Sequence, residues 1–268
     1  MRVLVLGAGG VGSVVAGYLA RAGHEAVMLA REGHVQAVRN SGLHIKGLND
    51  FRVSLSAHTE ASGLDEADLL LVTVKAKDTE DALSGVRHLR VGSVVSLQNG
   101  VLKNELLGKM FGWDKVVGAT TMIGATLVED GVVEHTLDGI TFLGELDGTP
   151  SARVNQIVAA LVDAGLKAAV VDNIKSIEWT KQAIQNPFAT LTAITRADNT
   201  ARIRCQTYAV TVSRSVAGKA SRMMSDTGRC CRMLCPRSPC KTLLSQRPYC
   251  WPSVPSSPRR SRINSLSA

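Results

Sequence analysis

No cysteine occurs before Cys205, and past residue 200 acidic side chains all but vanish, leaving Asp226 alone. The absence of thiols leaves the earlier part of the chain without a disulfide framework or a cysteine-based metal site. Nowhere does the chain reach the roughly eighteen uninterrupted apolar residues of a membrane span. Nor does it open on the charged, apolar and cleavage-site series of a leader; a strand-like run begins at once, and a cytoplasmic protein is expected. What is present is apolar bulk: 45% of the 268 residues are hydrophobic, enough to bury a real core in one large domain or two modest ones.

The formal charge of +8 is unevenly held. Residues 1 to 200 carry 18 Lys+Arg against 22 Asp+Glu, a net of −4, whereas residues 201 to 268 carry 13 against 1, a net of +12. The same C-terminal stretch holds all six cysteines and six of the eight prolines, so the whole-chain charge describes neither part. Function is to be sought first in residues 1 to 200.

The chain begins RVLVLGAGGVGSVVAGYLARAGHEAVMLAR, an apolar β-type run, a glycine turn, a helix-period stretch and a second apolar run. That is the β, turn, α, β order of a dinucleotide-binding fold. Gly7, Gly9 and Gly12 form G-x-G-x-x-G, with Gly10 and Val11 inside it. The first glycine permits a tight turn, the second lets backbone amides approach a pyrophosphate, and the third lets the helix pack on the strand. At the end of the second strand, where a carboxylate would accept hydrogen bonds from the ribose of NAD, stands Arg31. A guanidinium there suits a 2′-phosphate and makes NADPH the expected cofactor. The alternative is a solvated arginine beside Glu32.

Two further apolar runs end in polar residues. ADLLLVTV leads to Lys75, and SVVSL leads to Gln98 and Asn99 before Gly100. In open α/β sheets ligands lie beyond the carboxyl ends of the strands, which puts Lys75 and Asn99 where nicotinamide and substrate would sit. Taken singly, each also fits an ordinary strand end or Asn-Gly turn. From residue 116 two alternating runs flank a turn around Leu137 to Gly139, where a hairpin is expected. His135, beside Glu134, reads as a structural polar residue. A helix near Ser151 to Ala164 and the strand KAAVV complete a Rossmann-type α/β domain over residues 1–172. Residues 173–268 are assigned to a second, α-helical domain, irregular after about residue 200. Its first helix carries Glu178, Lys181 and Gln185 on one face, with a break expected at Pro187.

These residues resemble the ketopantoate reductases, or 2-dehydropantoate 2-reductases. The resemblance rests on G-A-G-G-V-G at 7 to 12, Arg31, V-K-A at 74 to 76, L-Q-N-G at 97 to 100, G-x-V-x-H at 131 to 135, and W-x-K with a following N-P at 179 to 187. It implies NADPH-dependent reduction of ketopantoate to pantoate, a step toward pantothenate and coenzyme A. On this chain Lys181 matches the family's general acid, Asn99 its cofactor- and substrate-contacting asparagine, and Lys75 a cofactor-side lysine. The chemistry suits these types, because an ammonium can stabilise the charge left on the keto oxygen by hydride and then supply the proton. The family places an asparagine four residues after the lysine. Here Gln185 holds that spacing and Asn186 follows at once, so both are candidate substrate contacts. A monomer or homodimer is implied, with no metal; another small 2-keto acid, or NADP binding without catalysis, are the alternatives.

Beyond residue 200 no helical periodicity continues. The cluster RCCRMLCPRSPC lacks the repeated C-x2-C pairs of a zinc site, and disulfides conflict with a cytoplasmic setting. Its charge is spread and its aromatics are few, which argues against a nucleic-acid arm. Only RRSRINSL, Arg259 to Leu266, echoes the family's last motif, with Arg262 where a glutamate is expected. A frame-shifted or decayed coding end accounts best for the simultaneous change in charge, Cys, Pro and Ser.

Overall fold

In the computed structural model of the chain the described residues are 1–195. The expectations for the basic stretch, its cysteines and its final motif lie outside them. The chain divides into two units, Met1–Gln185 and Asn186–Ala268.

The first unit is built on β1 (Arg2–Leu6), α1 (Gly10–Arg21), β2 (Glu25–Leu29), α2 (Glu32–Ser41), β3 (Leu43–Gly47), β4 (Phe51–Val53) and β5 (Ser56–His58). There follow β6 (Glu66–Val72), α3 (Thr79–Ser84), β7 (Arg90–Ser96), α4 (Lys103–Phe111) and β8 (Val116–Thr121). The last described elements are β9 (Gly124–Glu129), β10 (Val132–Leu137), β11 (Thr141–Glu145), α5 (Ala152–Asp163), β12 (Ala168–Val170) and α6 (Ile174–Thr195). Eight strands form one sheet in the order β12-β11-β8-β7-β6-β1-β2-β5. From β8 to β5 all neighbours are parallel, while β11 runs antiparallel to β8. The strand order reverses at β1, which lies between β2 and β6, and ligands of such sheets bind at that point.

The uninterrupted apolar runs read from the sequence are explained by burial on both faces. Val3 and Val5 of β1 pack with α1 and α5, in a core that includes Val14, Leu19, Leu69, Leu71 and Ile157. Leu4 and Leu6 face the other way, into a core that includes Leu70, Val72, Leu83 and Leu107 of β6, α3 and α4.

Two expectations are corrected. The hairpin turns at Asp130 and Gly131 (φ +79°), joining β9 to β10, and not around Leu137 to Gly139. Asp-Gly stands at both places, so the dipeptide alone does not choose between them; β9 and β10 pair in a separate four-stranded sheet β4-β3-β10-β9, and Asp138–Gly139 carries the chain from β10 back to β11 in the larger one. Helix α6 also runs through Pro187 without ending. Proline removes one ladder bond at a cost of about 3 kcal/mol, and the other turns of a 22-residue helix carry that loss. His135 is structural, as expected: it is buried, its Nε2 lies 3.1 Å from Leu137 O and its Nδ1 3.0 Å from Tyr18 Oη. The carbonyl can only accept, so the proton sits on Nε2 and the tyrosine donates to Nδ1.

Candidate active site

The glycine turn joins β1 to α1 at the switch point. Gly7 has φ +94°, a conformation that favours glycine, and the turn packs against Val74 beyond β6. A Cβ on Gly12 would sit 2.5 Å from Thr73 Oγ1 and 2.9 Å from Gly7 O, so α1 and the strand ends approach as closely as backbone allows. A Cβ on Gly9, by contrast, would meet nothing nearer than 4.0 Å, which leaves open space over the turn. The first intrahelical bond is Ser13 N to Gly9 O, so the amides of Gly10, Val11 and Gly12 precede it and remain donors for an anion. This open cradle with free amides fits a dinucleotide pyrophosphate.

Arg31 follows β2 as the N-cap of α2 and is exposed. Its guanidinium has no partner among the described residues. Glu32, its neighbour in the chain, accepts instead from Gln36 Nε2 at 2.6 Å. Lys75 is likewise exposed, capping a 3-10 turn at Ala76–Asp78 beyond β6. Gln98 fixes the loops that carry these strand ends. Its Nε2 donates to Val74 O and to Thr79 Oγ1, both at 2.7 Å, and its Oε1 accepts from Ser96 Oγ at 3.0 Å. Sequence reading saw in Gln98 only a polar strand end.

Lys181 and Asn99 meet. Lys181 Nζ donates to Asn99 Oδ1 at 2.9 Å and to Thr121 O at 2.6 Å. The reason lies in the sheet. β7 pairs with β8 at Val94 and Val95 against Val116 and Val117, and then the two strands part. On the other side of β8, Met122 N bonds to Ile140 O, so the alternation of an antiparallel ladder turns the carbonyls of Ala119 and Thr121 away from β11. They point to where β7 has ended, and two lysines fill the vacancy. Thr121 O receives Lys181, and Ala119 O receives Lys103 Nζ, which also donates to Gln98 O at 3.2 Å.

Lys103 was missed by sequence reading. It opens α4 with a side chain 4% exposed, and forms an ion pair of 3.3 Å with Glu178, also 4% exposed. Asn104 Nδ2 donates to both oxygens of the same carboxylate, at 3.2 and 3.1 Å. Lys103, Asn104, Leu107 and Gly108 are the buried face of α4, and that spacing was the available signal. Burial lowers the Lys103 pKa against the raising effect of Glu178. For Lys181 burial again leads, the Lys103 charge adds to it and Glu178 opposes it, so its pKa falls from 10.5 to about 8. The surface Glu–Lys pair that a three-residue spacing suggests is not formed. Glu178 and Lys181 are both buried, and the carboxylate is taken by α4. One turn beyond Lys181 the half-buried Gln185 and the exposed Asn186 follow in succession. Gln182 Oε1 accepts from Gly100 N at 3.0 Å and ties α6 to the Asn99 loop.

No helix among the described residues is long and apolar enough to cross a membrane, and they contain no cluster of His, Cys, Asp or Glu that could hold a metal ion. A family model for the ketopantoate reductase PanE/ApbA matches residues 3–148. The 2-dehydropantoate 2-reductase of Archaeoglobus fulgidus is 33% identical over 227 residues, covering 85% of this chain and 75% of that protein. Among solved structures, a PanE/ApbA family ketopantoate reductase from Ralstonia eutropha superposes with a TM-score of 0.67 at 32% identity, covering 73% of this chain and 65% of the other. A D-mandelate dehydrogenase solved with NADH and anilino(oxo)acetate shares the fold, with a TM-score of 0.68 at 23% identity over 74% of this chain and 65% of that one. With the glycine turn at the switch point of its parallel sheet, and with sequence relatives that span most of its length, this chain belongs to the ketopantoate reductase family, dinucleotide-dependent oxidoreductases acting on a small keto acid.

Proposed function

We propose that this chain reduces 2-dehydropantoate to pantoate with NADPH, Lys181 serving as the general acid. The observation that carries the reading is the buried Lys181 ammonium, held by Asn99 Oδ1 and Thr121 O, with a pKa brought to about 8. NADPH, when bound, supplies the hydride. Gly7, Gly9, Gly10, Val11 and Gly12 take its pyrophosphate, the exposed Arg31 its 2′-phosphate, and Lys75 and Asn99 the nicotinamide side. Charge that grows on the keto oxygen is met by the Lys181 ammonium, which then gives up its proton. A pKa near 8 leaves the side chain protonated in about nine molecules of ten at pH 7, yet a far better donor than an ordinary lysine. Asn99 orients that ammonium, and Gln185 and Asn186 are the candidates for the family's polar substrate contact. The nucleotide-binding part is residues 1–172, the site of action the cytoplasm, and the assembly a monomer or homodimer.

NADPH oxidation by the purified chain with and without 2-dehydropantoate, set beside NADPH binding followed by its fluorescence, tests this reading. Turnover that vanishes in Lys181→Ala supports it. One observation favours a second reading, an NADP-binding protein without turnover: the acid-poor, Cys- and Pro-rich composition past residue 200. Binding without oxidation would select that reading.

A further inference from the structure

Two lysines enter the gap between β7 and β8, and among the described residues only one of them has a counter-ion. Lys103 reaches Glu178 Oε1 at 3.3 Å, and both oxygens of that carboxylate accept from Asn104. Lys181 lies one turn after Glu178 on the same helix, yet no carboxylate oxygen stands within 4.0 Å of its Nζ among the described residues. Its partners are a side-chain amide oxygen and a backbone carbonyl, both neutral. We propose that Lys103 is a positioning residue for Lys181: by engaging Glu178 it withholds the carboxylate from Lys181, whose proton therefore stays easy to release. The functional part of this inference rests on Lys181 as the acid of the reaction; the electrostatic part stands without it.

Among the described residues the charges around Lys181 are few. α4 contributes Lys103, α6 contributes Glu178, and the Asn99 loop and β8 contribute only neutral oxygens. Loss of Lys103 removes a repelling charge and frees an attracting one, and both changes make Lys181 hold its proton more tightly. Loss of the Glu178 charge acts in the opposite sense. Neutralising both returns Lys181 toward its original state. A residue that merely supports the fold gives no such pattern of signs.

The test is a titration of Lys181 in full-length protein grown with 13Cε-lysine, the resonance being assigned by its absence in Lys181→Met. In Lys103→Met the Lys181 midpoint is expected to rise by roughly one pH unit or more, in Glu178→Gln to fall, and in the double variant to lie between the two. Should Lys103→Met fail to fold around an unpaired Glu178, the step from Glu178→Gln to the double variant still isolates Lys103, and it must be upward. A midpoint unmoved by removing Lys103 in a variant that still binds NADPH, or single variants shifting in the same direction, would overturn the proposal. No turnover is needed, so failure of the catalytic reading shows separately, as turnover that survives in Lys181→Ala. Where turnover is present, the alkaline limb of kcat must move with the titration.

Discussion

Lys181 and Asn99 stand 82 positions apart in the chain and 2.9 Å apart in the fold, joined by a hydrogen bond from the ammonium to the amide oxygen. One residue follows β7 and the other lies on α6, so the contact depends on the packing of the helix across the strand ends. It makes the first prediction sharp. Lys181→Ala should lower kcat by about 10²- to 10⁴-fold, the usual contribution of a placed acid. NADPH affinity should change little, because the glycine turn and Arg31 are untouched. A fluorescence titration beside a rate assay decides it, and a loss of binding equal to the loss of rate would mean that Lys181 serves the cofactor instead.

The depressed pKa also has a consequence for stability. An unfolded lysine keeps its proton up to about pH 10.5, whereas Lys181 in the fold releases it from about pH 8. Between those values the unfolded chain binds more protons, so stability rises with pH at up to about 1.4 kcal/mol per pH unit. The benefit is complete above the unfolded value and lost as pH falls through the folded one. Denaturant melts of the parent and of Lys181→Met at pH 7.5 and 9.5 should therefore show the parent gaining relative to the variant at the higher pH. A constant difference would mean that the ammonium is not buried as the geometry requires.

Arg31 supplies a third prediction. Its guanidinium has no protein partner among the described residues, and Glu32 is held by Gln36. Charged hydrogen bonds to a 2′-phosphate contribute on the order of 1.5–3 kcal/mol, so Arg31→Ala should weaken NADPH by about 10- to 100-fold and leave NADH nearly unchanged. Equal losses for both nucleotides, measured by fluorescence, would deny Arg31 the phosphate.

The nucleotide half of the site was legible because its signals are local. A glycine spacing between an apolar run and a helix-period run fixes a turn at the end of β1, and Arg31 follows from the length of the next strand. Asn99 was visible as a polar residue at the end of an apolar run and Lys181 as one of three polar residues on a helix face, and the family resemblance brought them together. The Lys103–Glu178 pair was not legible. A helical period says that Glu178 and Lys181 share a face but not which element covers it, and here α4 does, with a lysine as its first residue. The hairpin was misplaced for a related reason. Asp130–Gly131 and Asp138–Gly139 are the same turn dipeptide, and only the split of β10 and β11 between two sheets separates them.

Gln98 carries the last prediction. Val74 O can only accept, so the amide nitrogen of Gln98 must face it and the oxygen must face Ser96 Oγ; the orientation is fixed by its partners. Through Val74, which packs on the glycine turn, and through its position beside Asn99, Gln98 couples the cofactor side of the site to the substrate side. Gln98→Leu leaves Val74 O and Thr79 Oγ1 without this donor and should cost about 1–3 kcal/mol of stability. Gln98→Glu keeps the shape but turns a carboxylate oxygen toward the Val74 carbonyl, with repulsion added to the lost bond. The isosteric change should therefore be the more damaging of the two, in melting temperature and in NADPH affinity alike. If Gln98→Glu melts at or above Gln98→Leu at neutral pH, the amide is not the brace between the two loops.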